Sequence, residues 1–486
     1  MRLSGLFVWC CTGALVLLPP CPVIAQDSLR LSMEDAVQQA MARGEEMKIA
    51  KAQIDVAESQ IANVRADALP QLAVTLGFTR QVQSVFRNSG FGGSGSGFPI
   101  FEPDSTAPLN QRVSDLEKAL PTAGLSSLLG QFTDSPFGRL NTWNAGFTVN
   151  QTLLHGNRLW TAPRVARRVR DAAAAHYKEQ AAVVTATVKQ AYYTALLAEE
   201  TVRIARLSLE QAERQLDFVQ RKHREGTSSD FELLQAEVQR DNQTPEIINA
   251  EQQYAILLLN LKRLINVPLA SSLILTSTMN DPLQRPLNMP PMAALLDRSG
   301  SRPAVDAAKQ ETEARQMAVG VAKSDIWPKV SLFSNYNRQA FPSGFLPKGK
   351  DWKADWSVGF TVNLNLFDGL RTQALTAEAR ANYRLAEERQ AQTQETVAVE
   401  VEQAYRNLER AKTQIDARRR TIEQADRALR LAEIRFEEGI STQLEVSDTR
   451  LQLQRARLNH VQSVYDYHIA RIDLERAADI SLEQGN

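Results

Sequence analysis

Residues 143–150 read Trp143, Asn144, Ala145, Gly146, Phe147, Thr148, Val149, Asn150, and residues 356–363 return Trp356, Ser357, Val358, Gly359, Phe360, Thr361, Val362, Asn363. The shift is 213 positions, and it holds without a gap far past this stretch. Leu153, Gly156 and Arg158 recur as Leu366, Gly369 and Arg371. Gln190, Ala191 and Tyr192 recur as Gln403, Ala404 and Tyr405, and Gly226 recurs as Gly439. A match of this length marks a duplicated structural unit, so the chain of 486 residues is read as two copies of one large unit rather than as three average domains.

The quoted stretch also names its own conformation. Trp356, Val358, Phe360, Val362, Leu364 and Leu366 alternate with Ser357, Gly359, Thr361, Asn363 and Asn365, the period-2 pattern of a strand with one apolar face. Leu72, Val74, Leu76 and Phe78 alternate in the same way after Pro70. About ten such residues suffice for a tilted transmembrane strand. One such strand would equally fit the edge of a soluble sandwich. The neighbourhood decides against that, because no other strands are available to build a second sheet.

Each copy reads as helix, strand, loop, strand and two long helices. The leading helix covers roughly 33–67 in the first copy and 302–325 in the second, ending before Pro70 and Pro328, which open strands. Between paired strands the copies diverge: 73 residues separate Pro70 from Trp143, against 28 from Pro328 to Trp356. The longer loop holds Gly90, Gly92 and Gly95 in a dinucleotide-fingerprint spacing, but no strand-to-helix turn surrounds them, so the match is spurious. A short helix is expected near 116–120.

From Pro163, placed as a helix start, to Lys222, and from Arg371 to Glu437, neither proline nor glycine occurs after the first residue. Helices of that length span roughly 90–100 Å. Ala174, Tyr177, Ala181, Val184, Val188, Ala191, Ala195, Ala198, Val202, Ala205, Leu209, Ala212, Leu216 and Val219 follow alternating spacings of three and four, a coiled-coil seam. The second copy repeats it from Val397 to Phe436, with Arg418 as the polar interruption. A wall of many helices and a plain two-stranded hairpin both fit this seam. Gly226 and Gly439 end the long helices, with Ser, Thr and Asp residues following as caps of return helices that run to about Ile265 and Ala478.

Acidic and basic residues balance at 56 each, which disfavours nucleic acid as a partner. Arg2, the apolar run from Leu6 to Leu18 and the Val23, Ile24, Ala25 site read as a signal peptide over 1–25. Cys10, Cys11 and Cys21 all precede the cleavage point, leaving no thiol in the mature chain. Lipidation at Cys21 is the alternative, supported by Leu18 and opposed by Pro20. His155, His176, His223, His460 and His468 fall on different elements without ligand spacing, so no metal or other cofactor and no enzymatic activity is expected. The domains expected are a first repeat over 26–268, a linker over 269–290, a second repeat over 291–478 and a tail over 479–486.

With its duplicated strands and helical hairpins, the chain resembles the TolC-like outer-membrane efflux family. The most specific parts are the segment Leu31, Ser32, Met33, Glu34, Asp35, Ala36, the junction Leu69, Pro70, Gln71, Leu72, the Gly-Phe-Thr-Val strands and the two glycine-centred tips. The resemblance implies a mainly α fold with a small membrane β-barrel portion. Each duplicated unit supplies a long coiled-coil hairpin and two transmembrane strands to a trimeric α/β-barrel tube. It implies a homotrimer set in outer-membrane lipid, serving as the passive exit duct of a tripartite efflux or type I secretion system, with a periplasmic adaptor and an RND- or ABC-type inner-membrane pump as partners. The resemblance also places Glu445 and Asp448 at the narrowest aperture, where three copies would form two carboxylate rings. Some relatives close the gate with a tyrosine and an arginine bonded to an acid of the first hairpin. Here those positions hold Phe436 and Ser441, and the acid is Glu232. Adaptor docking is expected on Arg224, Glu225, Gly226, Thr227 and Ser228 and on Glu438, Gly439, Ile440 and Ser441. A periplasmic coiled-coil adaptor is the alternative reading, opposed by the presence of two hairpins.

Overall fold

The computed structural model describes residues 29–83, 104–130, 140–279, 289–342 and 344–482. The expected signal peptide with its three cysteines, the glycines at 90–95 and the last four tail residues lie outside the described residues. The chain divides into two compact units, each drawn from both repeats: residues 1–52, 175–305 and 392–486 form one, and residues 53–174 and 306–391 the other.

The second unit contains the sheet. Strands β2 (Gln71–Arg80), β3 (Asn141–His155), β5 (Lys329–Ala340) and β6 (Trp352–Asn363) pair antiparallel in the order β2-β3-β5-β6. Register puts Val74, Phe147, Tyr336 and Trp356 in one row, and Leu72, Val149, Ser334 and Val358 in the next row on that face. The opposite face carries Ala73, Thr148, Asn335 and Ser357, then Thr75, Gly146, Asn337 and Asp355. Alternation in sequence thus becomes one apolar and one polar face. Along the apolar face Leu76 is 79% exposed and Trp356 71%. At one end of the strands Phe78 and Trp143 lie 4.8 Å apart, and the Trp143 indole donates to the Phe345 carbonyl at 2.8 Å. Trp327 and Trp160 are exposed beside the other end, where β5 begins and the chain enters the long helix. Amphipathic aromatics at both ends of an apolar band are the pattern of a membrane strand.

Several boundaries differ from the sequence expectation. β6 begins four residues before Trp356 and stops at Asn363, so Leu364 and Leu366 lie beyond the ladder. The outer loop carries α3 (Leu109–Gly130), longer than the expected 116–120. The long helix α4 (Arg158–Arg224) starts before Pro163, which therefore sits inside it just past the first turn. The leading helix is two helices, α1 (Met33–Arg43) and α2 (Glu45–Ala66). Gly44 takes an extended ψ and its N–H caps the Ala40 carbonyl at 2.8 Å. Its second-copy counterpart also breaks at a glycine, between α6 (Met292–Ser299) and α7 (Pro303–Ala322).

The first unit is helical. The 213-residue shift survives at every boundary of its long elements: α4 and α5 (Asp230–Leu264) in the first copy, α8 (Arg371–Glu437) and α9 (Gln443–Ala477) in the second, 67 and 35 residues in each case. Most of the expected seam is buried, including Val188, Ala195 and Val219, but α4 buries a second stripe through Tyr192, Leu196 and Ile204. The reason is that α4 has two neighbours. Arg206 pairs with Glu251 on α5, while Gln190 and Lys189 reach Asp473 and Glu475 on α9. The wall of helices is therefore the correct alternative to the plain hairpin. Arg302, 4% exposed, ties α4 to α8 through Glu179 and Glu400.

Two three-residue strands add to the four expected. β1 (Leu29–Leu31) pairs parallel with β4 (Leu273–Leu275), which lies within the expected linker. Tyr192, fully buried, donates its hydroxyl to the Leu31 carbonyl at 2.9 Å and accepts from the Ser277 N–H at 3.1 Å. Tyr192→Phe leaves that part-buried N–H without its partner and is expected to cost about 1–2 kcal/mol, read as a lowered urea midpoint for the helical unit.

Candidate gate at the hairpin tips

Both tips are built alike. At the first, Gly226 has φ +78° and its N–H bonds the His223 carbonyl, while the Thr227 N–H bonds the Lys222 carbonyl, each at 2.9 Å. At the second, Gly439 has φ +75°, with Gly439 bonded to Phe436 and Ile440 to Arg435. These are Schellman closures, and they require a left-handed residue that glycine adopts without strain. Arg224, Glu225, Gly226, Thr227, Glu438, Gly439 and Ile440 are all exposed, as docking residues must be.

Ser228 and Ser441 are occupied differently, because each holds a capping acid. Ser229 caps α5 in a reciprocal box: the Glu232 N–H donates to its hydroxyl at 3.2 Å, and the Glu232 carboxylate accepts from the Ser229 N–H at 3.0 Å and the Ser228 hydroxyl at 2.7 Å. Glu445 is the 213-residue counterpart of Glu232. Its carboxylate accepts from Ser441 and pairs with Arg435 at 2.9 Å, and Thr442 caps α9. The two expected aperture acids thus part company. Glu445 is engaged in its own tip, whereas Asp448 is exposed and its side chain has no hydrogen-bond or ion-pair partner among the described residues.

Arg435 itself has a counterpart, Lys222, and here the copies diverge. Lys222 leaves its own tip and reaches the second hairpin, donating to the Phe436 carbonyl at 3.2 Å and the Glu437 carbonyl at 3.4 Å. Its ammonium stands 4.9 Å from the ring centroids of both Phe218 and Phe436. The C-terminal carbonyls of α8 lack helical partners and carry partial negative charge, so a cation is favoured there twice over. Phe436, buried among Leu216, Val219, Val446 and Leu453, holds the tyrosine position of the latch described for some relatives. Lys222 did not stand out in the sequence. The signal available was the pairing of a lysine with an arginine across the repeat, beside Phe218.

A family model described as "Outer membrane efflux protein" matches residues 36–267 and 298–478. The chain belongs to the outer membrane efflux protein family. It is thereby an outer-membrane channel-family protein, which removes the adaptor alternative. The pyoverdine export outer membrane protein OpmQ of Pseudomonas aeruginosa is 25% identical over 457 residues, covering 88% of this chain and 81% of that protein. Among solved structures, the Campylobacter jejuni CmeC outer membrane channel superposes with TM-score 0.72 at 16% identity, covering 93% of this chain and 87% of that one. The open state of the Neisseria gonorrhoeae MtrE outer membrane channel gives TM-score 0.68 at 17% identity, with 93% and 90% covered. The mainly helical fold with a small membrane sheet is that of these channels.

Capping sets the acid behaviour of the first tip. The Ser229 N–H and then the Ser228 hydroxyl hold the Glu232 carboxyl below its ordinary 4.5. A folded value below the unfolded one means that the cap's contribution is complete above the unfolded value and is lost as pH falls through the folded one. A carbon-detected NMR titration of Glu232 should give a midpoint below 4.5, and the paired change Ser228→Ala with Ser229→Ala should return it upward.

Proposed function

We propose that three copies of this chain close one barrel in the outer membrane and form the passive exit duct of a tripartite efflux or secretion system. The observation that carries this reading is the four-stranded sheet of the second unit. Its two outermost strands, β2 and β6, present unpaired backbone edges, and one face is apolar and exposed. In lipid an unpaired edge is prohibitive, and closure between copies removes every edge at once. Outer-membrane lipid then covers the Leu72, Val74, Trp356, Val358 and Phe360 face. Threonine, serine and asparagine side chains line the water-filled interior.

In this duct the hairpin tips are the gate and the docking surface for a periplasmic adaptor, which couples to an inner-membrane pump of RND or ABC type. Lys222 holds the two hairpins of one copy together in the closed state, replacing the absent tyrosine and arginine latch. Asp448, whose side chain has no partner among the described residues, contributes the carboxylate ring that selects cations, while Glu445 and Glu232 keep the tips folded. The duct leaves cargo choice to its pump. OpmQ carries pyoverdine export in its name, and a small exported molecule is the cargo class that this relative suggests.

Lys222→Met keeps the apolar stem but removes the contact with the α8 carbonyls. It should raise single-channel conductance in planar bilayers several-fold, and unchanged conductance would remove Lys222 from the gate. Asp448→Asn should abolish most of the cation preference and Glu445→Gln little of it. Selectivity lost only in the Glu445 variant would reverse the two roles.

A further inference from the structure

Eleven residues before the first tip glycine, α4 turns Gln215 inward against the first turn of α9. Its side-chain amide donates to the Gln443 side-chain oxygen Oε1 at 2.7 Å, and its own Oε1 accepts from Arg450 at 3.4 Å. Arg450 also reaches Glu433 on α8 at 3.3 Å, through the same terminal nitrogen. Gln443 is 1% exposed and Gln215 9%. The atoms of this group left unpaired are donors. The Gln443 Nε2 and the Arg450 Nε and Nη1 are all buried and have no acceptor among the described residues. Each glutamine oxygen already accepts one hydrogen bond.

An unpaired buried donor is costly, and three on side chains already bonded to one another call for a common acceptor. A water molecule would bring two protons of its own, for which the buried glutamines offer only second lone pairs on oxygens already bonded. A small anion brings none. The local charge agrees, because Arg450 faces one carboxylate, the half-exposed Glu433, while Arg214 adds a further positive field. Gln443 is the first residue of α9, where the helix dipole favours negative charge. The arrangement is confined to the second copy's return helix. The first-copy counterparts of Gln443 and Arg450 are Asp230 and Glu237, and that of Gln215 in the second copy is Ala428.

We propose that Gln443, Arg450 and Gln215 form a binding site for a monatomic anion of the chloride type, which joins α4 to α9 above the tips. The burial of Gln443 and Gln215, with the Arg450 side chain 11% exposed, leaves little room for a large oxyanion. The bound ion completes the junction between the two hairpins, with Arg450 carrying the link onward to α8.

The test uses the full-length protein in detergent, with thermal unfolding measured in sodium chloride and in sodium gluconate at equal ionic strength. Chloride should raise Tm by about 2–4 °C. Crystals grown in bromide should show an anomalous peak in contact with Arg450 and Gln443. Gln443→Glu keeps the acceptor for Gln215 and supplies its own negative charge beside Arg450. It should fold, lose the chloride shift and show no bromide peak. Equal Tm in the two salts, with or without a bromide peak, overturns the proposal, the peak then marking an adventitious ion only. A chloride shift that persists in Gln443→Glu also overturns it. None of these readouts depends on whether the protein conducts.

Discussion

The structure depends on where the backbone hydrogen bonds of β2 and β6 go. Among the described residues each strand is paired on one side only, and the sheet between them turns an apolar face outward over ten to twelve residues per edge strand. Water could satisfy those edges but would not tolerate so continuous an apolar face. Lipid suits the face but cannot satisfy the edges. Only pairing with further strands meets both demands. The polar row of Ala73, Thr148, Asn335 and Ser357 then faces an enclosed interior, which is how an amphipathic sheet becomes the wall of a channel.

The helical unit follows from a second constraint, the need of very long helices for neighbours. A 67-residue helix gains little from its own propensity that packing does not fix, and α4 buries two stripes because it has neighbours on both sides. Alanines recur along the first stripe, at Ala195, Ala198, Ala205 and Ala212, letting the helices approach closely. The Lys189–Glu475 ion pair between α4 and α9, and the Arg302 contacts to Glu179 and Glu400, set the register. Such partly buried pairs specify an arrangement more than they stabilise it.

Much of this was legible in the sequence because duplication reports structure twice. Helix ends at Arg224 and Glu437, and at Leu264 and Ala477, obey the 213-residue shift, and the tip glycines sit where the repeat put them. Short or long-range features were not legible. β1 and β4 are three residues each and separated by more than 240 positions, too short for any periodicity. The break at Gly44 was written in the sequence, with Arg43 before it and Glu45 and Glu46 after it, but the apolar spacing continues across it. At the hairpin tips, the caps were foreseen and their consequence was not. Glu232 and Glu445 are one position in two copies, and both serve their own hairpin tips. Lys222 became visible only when Phe436, 214 residues away, was placed beneath it.

The central claim is that β2 of one copy pairs with β6 of another. Thr75→Cys, combined in turn with Asp355→Cys, Ser357→Cys or Thr361→Cys, tests it by oxidative cross-linking in isolated outer membranes, since the mature chain is expected to have no cysteine of its own. The account predicts that at least one pairing yields a ladder of covalent dimer and trimer and nothing larger. Monomer alone from every pairing would contradict it.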